Sequence, residues 1–341
     1  MVGRYFVLPI LALAAAIVTG CGGGISTQLA AQSKVAPAAI APIAAAYVRS
    51  WMLPSATKTP SLLYVANSSG TVTVYSYKNG TDLSLVGTLT GFSQPGGICT
   101  DKNGNVYVTD YAVRRIDIYA HGADTPTAVI QQKVGFPFAC AIDPTTGNLA
   151  ITEEHPNAHY ESHATVDIYA PGEYKGQGSI YGGHNTFSEA YFDAYDGKGN
   201  LFVDGTPCQA SYCYYGGGPP ALFELPKGST QFLQLSFKGA TLKNPTGLDW
   251  VSPTLLVTDA LSKSTPVGYK VFVSGSDATV VATLSYSGTD KPYGVAQRAS
   301  NIIVPDYQSS TVRIYSLSNG SLISSLTDGL NQPFSAVVSQ K

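Results

Sequence analysis

The densest reactive patch of this 341-residue chain is EEHPNAHYESHA (153–164), which gathers Glu153, Glu154, His155, His159, Glu161 and His163. Imidazole nitrogens and carboxylate oxygens bind Zn²⁺ or another divalent ion, and they also pass protons. The spacing matches no compact metal motif such as HExxH, and a loop facing water carries the same residues without any ligand. A second set of carboxylates recurs at the ends of short apolar runs. It comprises Asp110, Glu153, Asp259 and Asp306, with Asn67 and Gly205 at the same place in two further runs. Taken by themselves, side chains at such a place accept backbone hydrogen bonds in a repeated turn.

Aromatic and basic residues supply a different chemistry. Tyr212, Tyr214 and Tyr215 sit in GTPCQASYCYYGGGPP (205–220), Phe136, Phe138, Tyr293 and Phe334 stand near the starts of apolar strands, and Tyr111 follows Asp110. Such rings either wall a site for a sugar, an acyl chain or an apolar peptide, or simply pack neighbouring strands together. Arg114 and Arg115 offer an anion contact, the other reading being a solvated pair. The expected ligand-contacting set is Tyr111, Arg115, His155, Tyr212, Tyr214, Tyr293 and Phe334. No nucleophile elbow, P-loop, dinucleotide fingerprint or CxxCH motif is present in the sequence, so no catalytic residue is assigned.

A repeat must position these side chains. LLYVAN (62–67), NVYVTD (105–110), NLAITE (148–153), NLFVDG (200–205), TLLVTD (254–259) and NIIVPD (301–306) start 43, 43, 52, 54 and 47 residues apart. Periods of that length mark repeat architectures. A second strand follows each run, as in RIDIYA (115–120), TVDIYA (165–170) and TVRIYS (311–316); then come a third strand and an apolar fourth such as PGGICTD or PFACAID. The expected fold is all-β, a six-bladed β-propeller of four-stranded blades. The first unit lacks its own inner strand and PFSAVVS follows the sixth, so the C-terminal strand is expected to close the first blade. The loops after the NVYVTD-type runs share one face with the insertions at 153–164, 205–220 and 260–267, and that face is expected to carry function.

The cysteines extend the argument. Cys208 and Cys213 are expected to close the blade-four insertion as a local disulfide, the alternative being two separate thiols. Cys99 lies one strand position later than Cys140 once Pro95 and Pro137 are aligned, so their side chains leave opposite faces of adjacent inner strands. Because neighbouring blades present opposite faces to each other, an inter-blade Cys99–Cys140 disulfide is expected; the same parity also admits thiols aimed apart.

DKNGNVYVTD, DPTTGNLAIT and DGKGNLFVD each join an aspartate, a tight glycine turn and an apolar strand. In this the chain resembles NHL-type and gluconolactonase-like six-bladed propellers over roughly residues 61–341, with VSPTLLV and RASNIIV departing from the turn pattern. That group contains binding modules, scaffolds and enzymes, so the resemblance does not choose among them. In gluconolactonase-like enzymes acidic and amide side chains near the axis hold a metal. Carried over, this implies Asp110, Asp259 and Asp306 as ligands, and Glu153 offers a further oxygen for a hard cation. Ca²⁺ or Zn²⁺ is the candidate ion and no cofactor is assigned. The glutamate that such enzymes place near the first inner strand has no counterpart ahead of LLYVAN.

Charged residues make up 12% of the chain against about 25% in typical domains, and the net charge is −2. Lys and Arg form no run that tracks phosphates, which excludes nucleic acid as an expected partner. Residues 1–20 join Arg4 to an apolar run ending in VTGC, which resembles a lipoprotein signal with Cys21 as the lipidated residue. Residues 21–60 read as a low-complexity tether or N-terminal arm, and 61–341 as the propeller. The expected protein is an exported bacterial lipoprotein of the cell envelope or outer surface, held by a lipid anchor. Through one propeller face it is expected to bind an envelope protein or peptide, a glycan or a small molecule. A divalent-metal lactonase or related hydrolase and a structural protein-contact scaffold are the alternatives.

Overall fold

The computed structural model describes residues 49–133, 135–155, 163–174, 178–182, 186–208, 218–260 and 265–341. Six sheets, antiparallel apart from one edge pairing, follow one another along the chain, and their inner strands touch in order around a closed ring. The fold is the all-β six-bladed propeller, with mostly four-stranded blades. The C-terminal strand Pro333–Gln340 pairs with Ser61–Asn67 and supplies the inner strand of blade 1, so the last residues clasp the first.

Period-two alternation explains how each blade fills the space on both sides. In blade 2, Val106 and Val108 pack toward blade 1 with Tyr64 and Val74, whereas Tyr107 between them packs toward blade 3 with Leu149 and Ile151. Each such buried aliphatic side chain contributes about 1.5–3 kcal/mol, and the interior is a ring of inter-blade cores rather than one central core. Cys99 and Cys140 lie in the core between blades 2 and 3, joined as a disulfide with Cα atoms 5.7 Å apart. Ile98 faces the other way into the blade 1–2 core, which is the parity on which that pairing depends.

Opposite the strand-end face, short turns are closed by aspartates. Asp101 accepts from the amides of Asn103 and Asn105, and Asp196 accepts from those of Lys198 and Asn200. Gly104 takes a positive φ in the first of these turns, and a Cβ there would meet the Gln340 carbonyl at 2.1 Å, so the turn and the C-terminal strand fit only around glycine.

Two details depart from the four-strand pattern. Trp51–Met52 pairs with the outer edge of blade 1 at Thr88 and Gly87, so regular structure begins within the segment read as tether or arm. FLQLSF (232–237), an apolar run at the place of the third strand of the fourth repeat, is divided. Leu233–Gln234 pairs with blade 4, while Ser236–Lys238 runs parallel to Asp277–Ser285 on the edge of blade 5. The buried Leu235 between them anchors the crossing in the apolar core.

Candidate functional site

The strand-end residues share one structural task. Asp110 accepts the Ser93 and Gln94 amides at 2.9 and 2.8 Å, and Asp259 those of Lys243 and Asn244 at 2.9 and 2.7 Å. Asp306 accepts those of Asp290 and Lys291 at 3.0 and 2.9 Å, and the Asn67 side-chain oxygen accepts the Asn331 amide at 3.0 Å. All four side chains are buried. Each staples the turn leading into its own blade's inner strand, which meets the obligation of buried backbone donors to find an acceptor. Burial alone would raise the Asp306 carboxyl; the Ser309 hydroxyl, the two amides and Arg313 outweigh it and hold the group below the usual carboxylate range. Asp110, Asp259 and Asp306 therefore belong to three separate turns. Among the described residues no group of three or more His, Cys, Asp and Glu side chains is placed to hold a metal ion. The residues present do not fit the metal set that the resemblance implied.

Arg115 is drawn into the scaffold as well. Its Nη2 donates to the Gly91 carbonyl at 2.7 Å and its Nε to Asp117 at 3.1 Å, with Asp110 at 3.6 Å. That leaves its guanidinium engaged between blades 1 and 2. Asp117 lies two positions along the same strand and so on the same face, a relation that the alternation of RIDIYA carries by itself.

At the axis of the strand-end face the aromatic candidates do meet. The residue after the proline at the start of the inner strand is Phe138 after Pro137, Tyr293 after Pro292 and Phe334 after Pro333. Phe138 lies 5.4 Å from Phe334, which stacks on Tyr293 at 4.9 Å, and Tyr293 meets Tyr307 at 5.6 Å. Tyr111 joins at the other end, 6.5 Å from Phe138 and 5.1 Å from Phe136. Tyr111 and Tyr307 are equivalent, each following a strand-end aspartate and donating its amide back across the turn, to Gln94 and Lys291 respectively. Cations flank the rings. The Arg114 guanidinium lies 4.0 Å over Phe136, and the Lys291 ammonium lies 5.4 Å from both Tyr293 and Tyr307.

Blades 3 and 4 add acids to this wall. Glu154 occupies the place of Tyr111 in its own blade, and the Tyr111 hydroxyl donates to it at 2.7 Å. Burial pushes Glu154 up to about 7 against that hydrogen bond, with the charge of Glu189 adding to the rise. Glu189 in turn accepts from the Thr206 hydroxyl at 2.9 Å. Tyr191 lies 5.5 Å from Phe138, and burial first, then Glu189 and Glu154, push its hydroxyl far above the ordinary tyrosine range. The group Tyr111, Glu154, Glu189 and Tyr191 thus places a titratable carboxyl next to an aromatic platform. Glu189 was not among the expected residues; the signal for it is an acid within the inner strand FSEAYFD, which carries a second acid at Asp193.

The remaining candidates lie elsewhere. Glu153 is buried in blade 3 and, like Asp167 near it, is pushed up by burial. His155 stands at the register position opposite His163. Cys21, His159, Glu161, Tyr212, Cys213, Tyr214 and Tyr215 lie outside the described residues, while Cys208 is disulfide-bonded. Two clefts open away from the axis. One of about 510 Å³ lies between blades 1 and 2 and is lined by Arg49, Arg115, Asp117 and Asp124. The other, of about 400 Å³, lies among the turns of blades 2 and 3 around Asp101, Asp143 and Tyr174. Both are formed largely by side chains already engaged in holding blades or turns together, so the axial group has the stronger claim to function.

Comparisons with known proteins bear on the fold. A family model described as the NHL repeat matches residues 92–119, and no curated protein matches the chain. A chain from the crystal structure of a nidogen/laminin complex aligns with a TM-score of 0.59 at 14% identity, covering 82% of this chain and 98% of that one. The periplasmic gluconolactonase PpgL of Pseudomonas aeruginosa aligns with a TM-score of 0.55 at 14% identity, covering 82% and 99%. A protein of unknown function from Bacteroides caccae aligns with a TM-score of 0.57 at 11% identity, covering 83% and 100%. At such identities the likeness establishes a shared propeller fold, and function has to be argued from the site.

Proposed function

We propose that this protein is an exported lipoprotein of a bacterial envelope that binds a glycan, peptide or small molecule at the axis of its strand-end face. The observation that carries the reading is the continuous aromatic wall from Tyr111 through Phe138, Phe334 and Tyr293 to Tyr307, with Glu154 hydrogen-bonded at one end and Lys291 at the other. Aromatic faces stack on sugar rings and apolar side chains, and a few polar groups beside them fix orientation. The lipidation at Cys21 rests on the VTGC sequence and the apolar run that leads into it. Probing immobilised oligosaccharides and peptides with the full-length protein tests the binding; retention of at least one class is expected, and a uniformly blank panel would leave the scaffold reading in its place. Mass analysis of the N-terminus of protein taken from bacterial membranes tests the anchor, with a diacylated Cys21 expected.

One feature favours a hydrolase as the second reading: Glu154, held near neutrality beside Glu189, is suited to move a proton. Turnover in a lactone and phosphoester screen that vanishes in Glu154→Gln supports it, whereas unaltered rates in that variant dismiss it.

A further inference from the structure

Blades 2 and 3 repeat one another as RIDIYA (115–120) and TVDIYA (165–170). The register sets Arg115 opposite Asp110 and Asp117 opposite Val108; in blade 3 it sets Thr165 opposite Glu153 and Asp167 opposite Ile151. Each blade therefore carries two carboxylates on one face, a strand-end acid and a neighbour diagonal to it on the next strand. In blade 2 the Arg115 guanidinium stands between them, 3.6 Å from Asp110 and 3.1 Å from Asp117, and also binds the Gly91 carbonyl. Blade 6 has a single acid here: Arg313 takes the register place of Asp117, opposite Val304, and its Nη1 lies 2.6 Å from Asp306. Blade 3 keeps both acids and has threonine where the base stood.

The consequence is visible in the blade 2–3 interface. Asp167 is 0% exposed, and among the described residues neither of its oxygens has a hydrogen-bond partner. Gln132, 4% exposed, faces the same space; its Oε1 accepts the Tyr169 hydroxyl at 2.9 Å and its Nε2 has no partner. Glycine stands against the Glu153 carboxylate at position 135, where a Cβ would come within 2.0 Å of Oε2. Lys133 stands at the place of Gly91, and its side chain is exposed.

We propose that the blade 2–3 interface is a site for one hard divalent cation of the Ca²⁺ type, seated between the Glu153 and Asp167 carboxylates where the arginine sits in blade 2. Two carboxylates, the Thr165 hydroxyl and water form an all-oxygen set, the kind that Ca²⁺ takes with six to eight ligands. A cation there gives the buried Asp167 carboxylate, whose two oxygens lack hydrogen-bond partners among the described residues, the counter-charge that burial demands. The site is separate from the axial aromatic wall and does not rest on the binding function proposed for it.

The test is calorimetric and thermal titration of chelator-stripped, full-length protein with CaCl₂, with MgCl₂ in parallel. One calcium per chain is expected, with a Kd of about 0.1–1 mM as in extracellular modules. At tenfold excess over Kd the expected Tm rise is about 2–4 °C. Thr165→Arg is expected to raise the Tm of the metal-free protein and abolish the calcium response, and Asp167→Asn to abolish calcium binding. Absence of calcium binding by the wild-type protein overturns the proposal. So does a calcium response that persists in Asp167→Asn, a measurement that stands even where Thr165→Arg does not fold.

Discussion

In blade 2 the strand-end acid, Asp110, holds two backbone amides and shares an arginine with Asp117; in blade 3 the matching acid, Glu153, shares a buried space with Asp167 and no arginine. Burial raises Asp117 even with Arg115 beside it. Without that cation Glu153 is pushed up to about 8 and Asp167 to about 7, burial leading in both and Asp167 adding to the rise of Glu153. The same departure continues into blade 4, where Asp204 takes the place held by Thr109 and Thr152. Those threonines donate their hydroxyls to carbonyls of the next blade, those of Phe138 and Tyr191. Asp204 has one oxygen on the Phe192 amide and the other unpaired. Regular repeats use acids as staples, whereas blades 3 and 4 also bury Asp167 and Asp204 with carboxylate oxygens that no hydrogen bond among the described residues reaches. Such departures from local consistency are where function is to be sought.

The largest expected effect breaks the staple. Asp110→Ala leaves two buried amides without their acceptor and takes one of its two carboxylates from Arg115, and is expected to cost about 3–5 kcal/mol in denaturant unfolding, while Glu153→Gln in metal-free protein costs less than about 1 kcal/mol or stabilises. Equal losses in the two variants would contradict the distinction between the blades. Next is the covalent link across the same interface. Replacing Cys99 and Cys140 together by alanine opens a loop of 41 residues, and the chain-entropy model puts the loss at about 3–4 kcal/mol. An unchanged unfolding midpoint would show that packing alone holds blades 2 and 3 together.

A smaller effect has the opposite sign. Burial pushes Asp204 up to about 7, opposed by the Phe192 amide, and burial likewise raises Asp249 to about 7 against the amides of Gln297 and Trp250. Unfolded aspartates lose their protons near pH 4. The stability tied to these protonated groups is thus full below about pH 4 and is lost as pH rises through about 7. Asp204→Asn keeps an acceptor for Phe192 and removes the charge, so it is expected to stabilise by about 1–2 kcal/mol at pH 8 and to flatten the decline in Tm between about pH 5 and 8. A variant that loses stability at pH 8 would show that the ionised carboxylate is wanted there.

Much of this architecture is legible in the chain. The runs ending in Asn67, Asp110, Glu153, Gly205, Asp259 and Asp306 mark the blades because alternation and turn chemistry are local, and PFSAVVS stands out as a strand without a unit of its own. Phe138, Tyr293 and Phe334 are traceable because each follows a proline at the start of an inner strand. The division of FLQLSF between two blades is not legible, since an isolated apolar residue such as Leu235 does not say which neighbour it will pack against. The repeat suggests that Asp110 accepts backbone hydrogen bonds, but the partners themselves are not legible, since the Ser93 amide lies 17 residues from Asp110 and the Gly91 carbonyl 24 residues from Arg115. Glu189 reaches the axial group only through the inter-blade meeting of Tyr191, Glu154 and Thr206.

The most direct measurement compares the two faces of the ring in ligand binding. Full-length protein carrying Tyr111→Ala with Lys291→Ala, on the strand-end face, is measured against protein carrying Lys102→Ala with Lys198→Ala, on the turn face, using the oligosaccharides or peptides that the wild-type protein retains. The account predicts that the first pair lowers affinity by about tenfold or more, as loss of an aromatic anchor does, and that the second leaves it unchanged. Affinity that survives the first pair and falls with the second would contradict it.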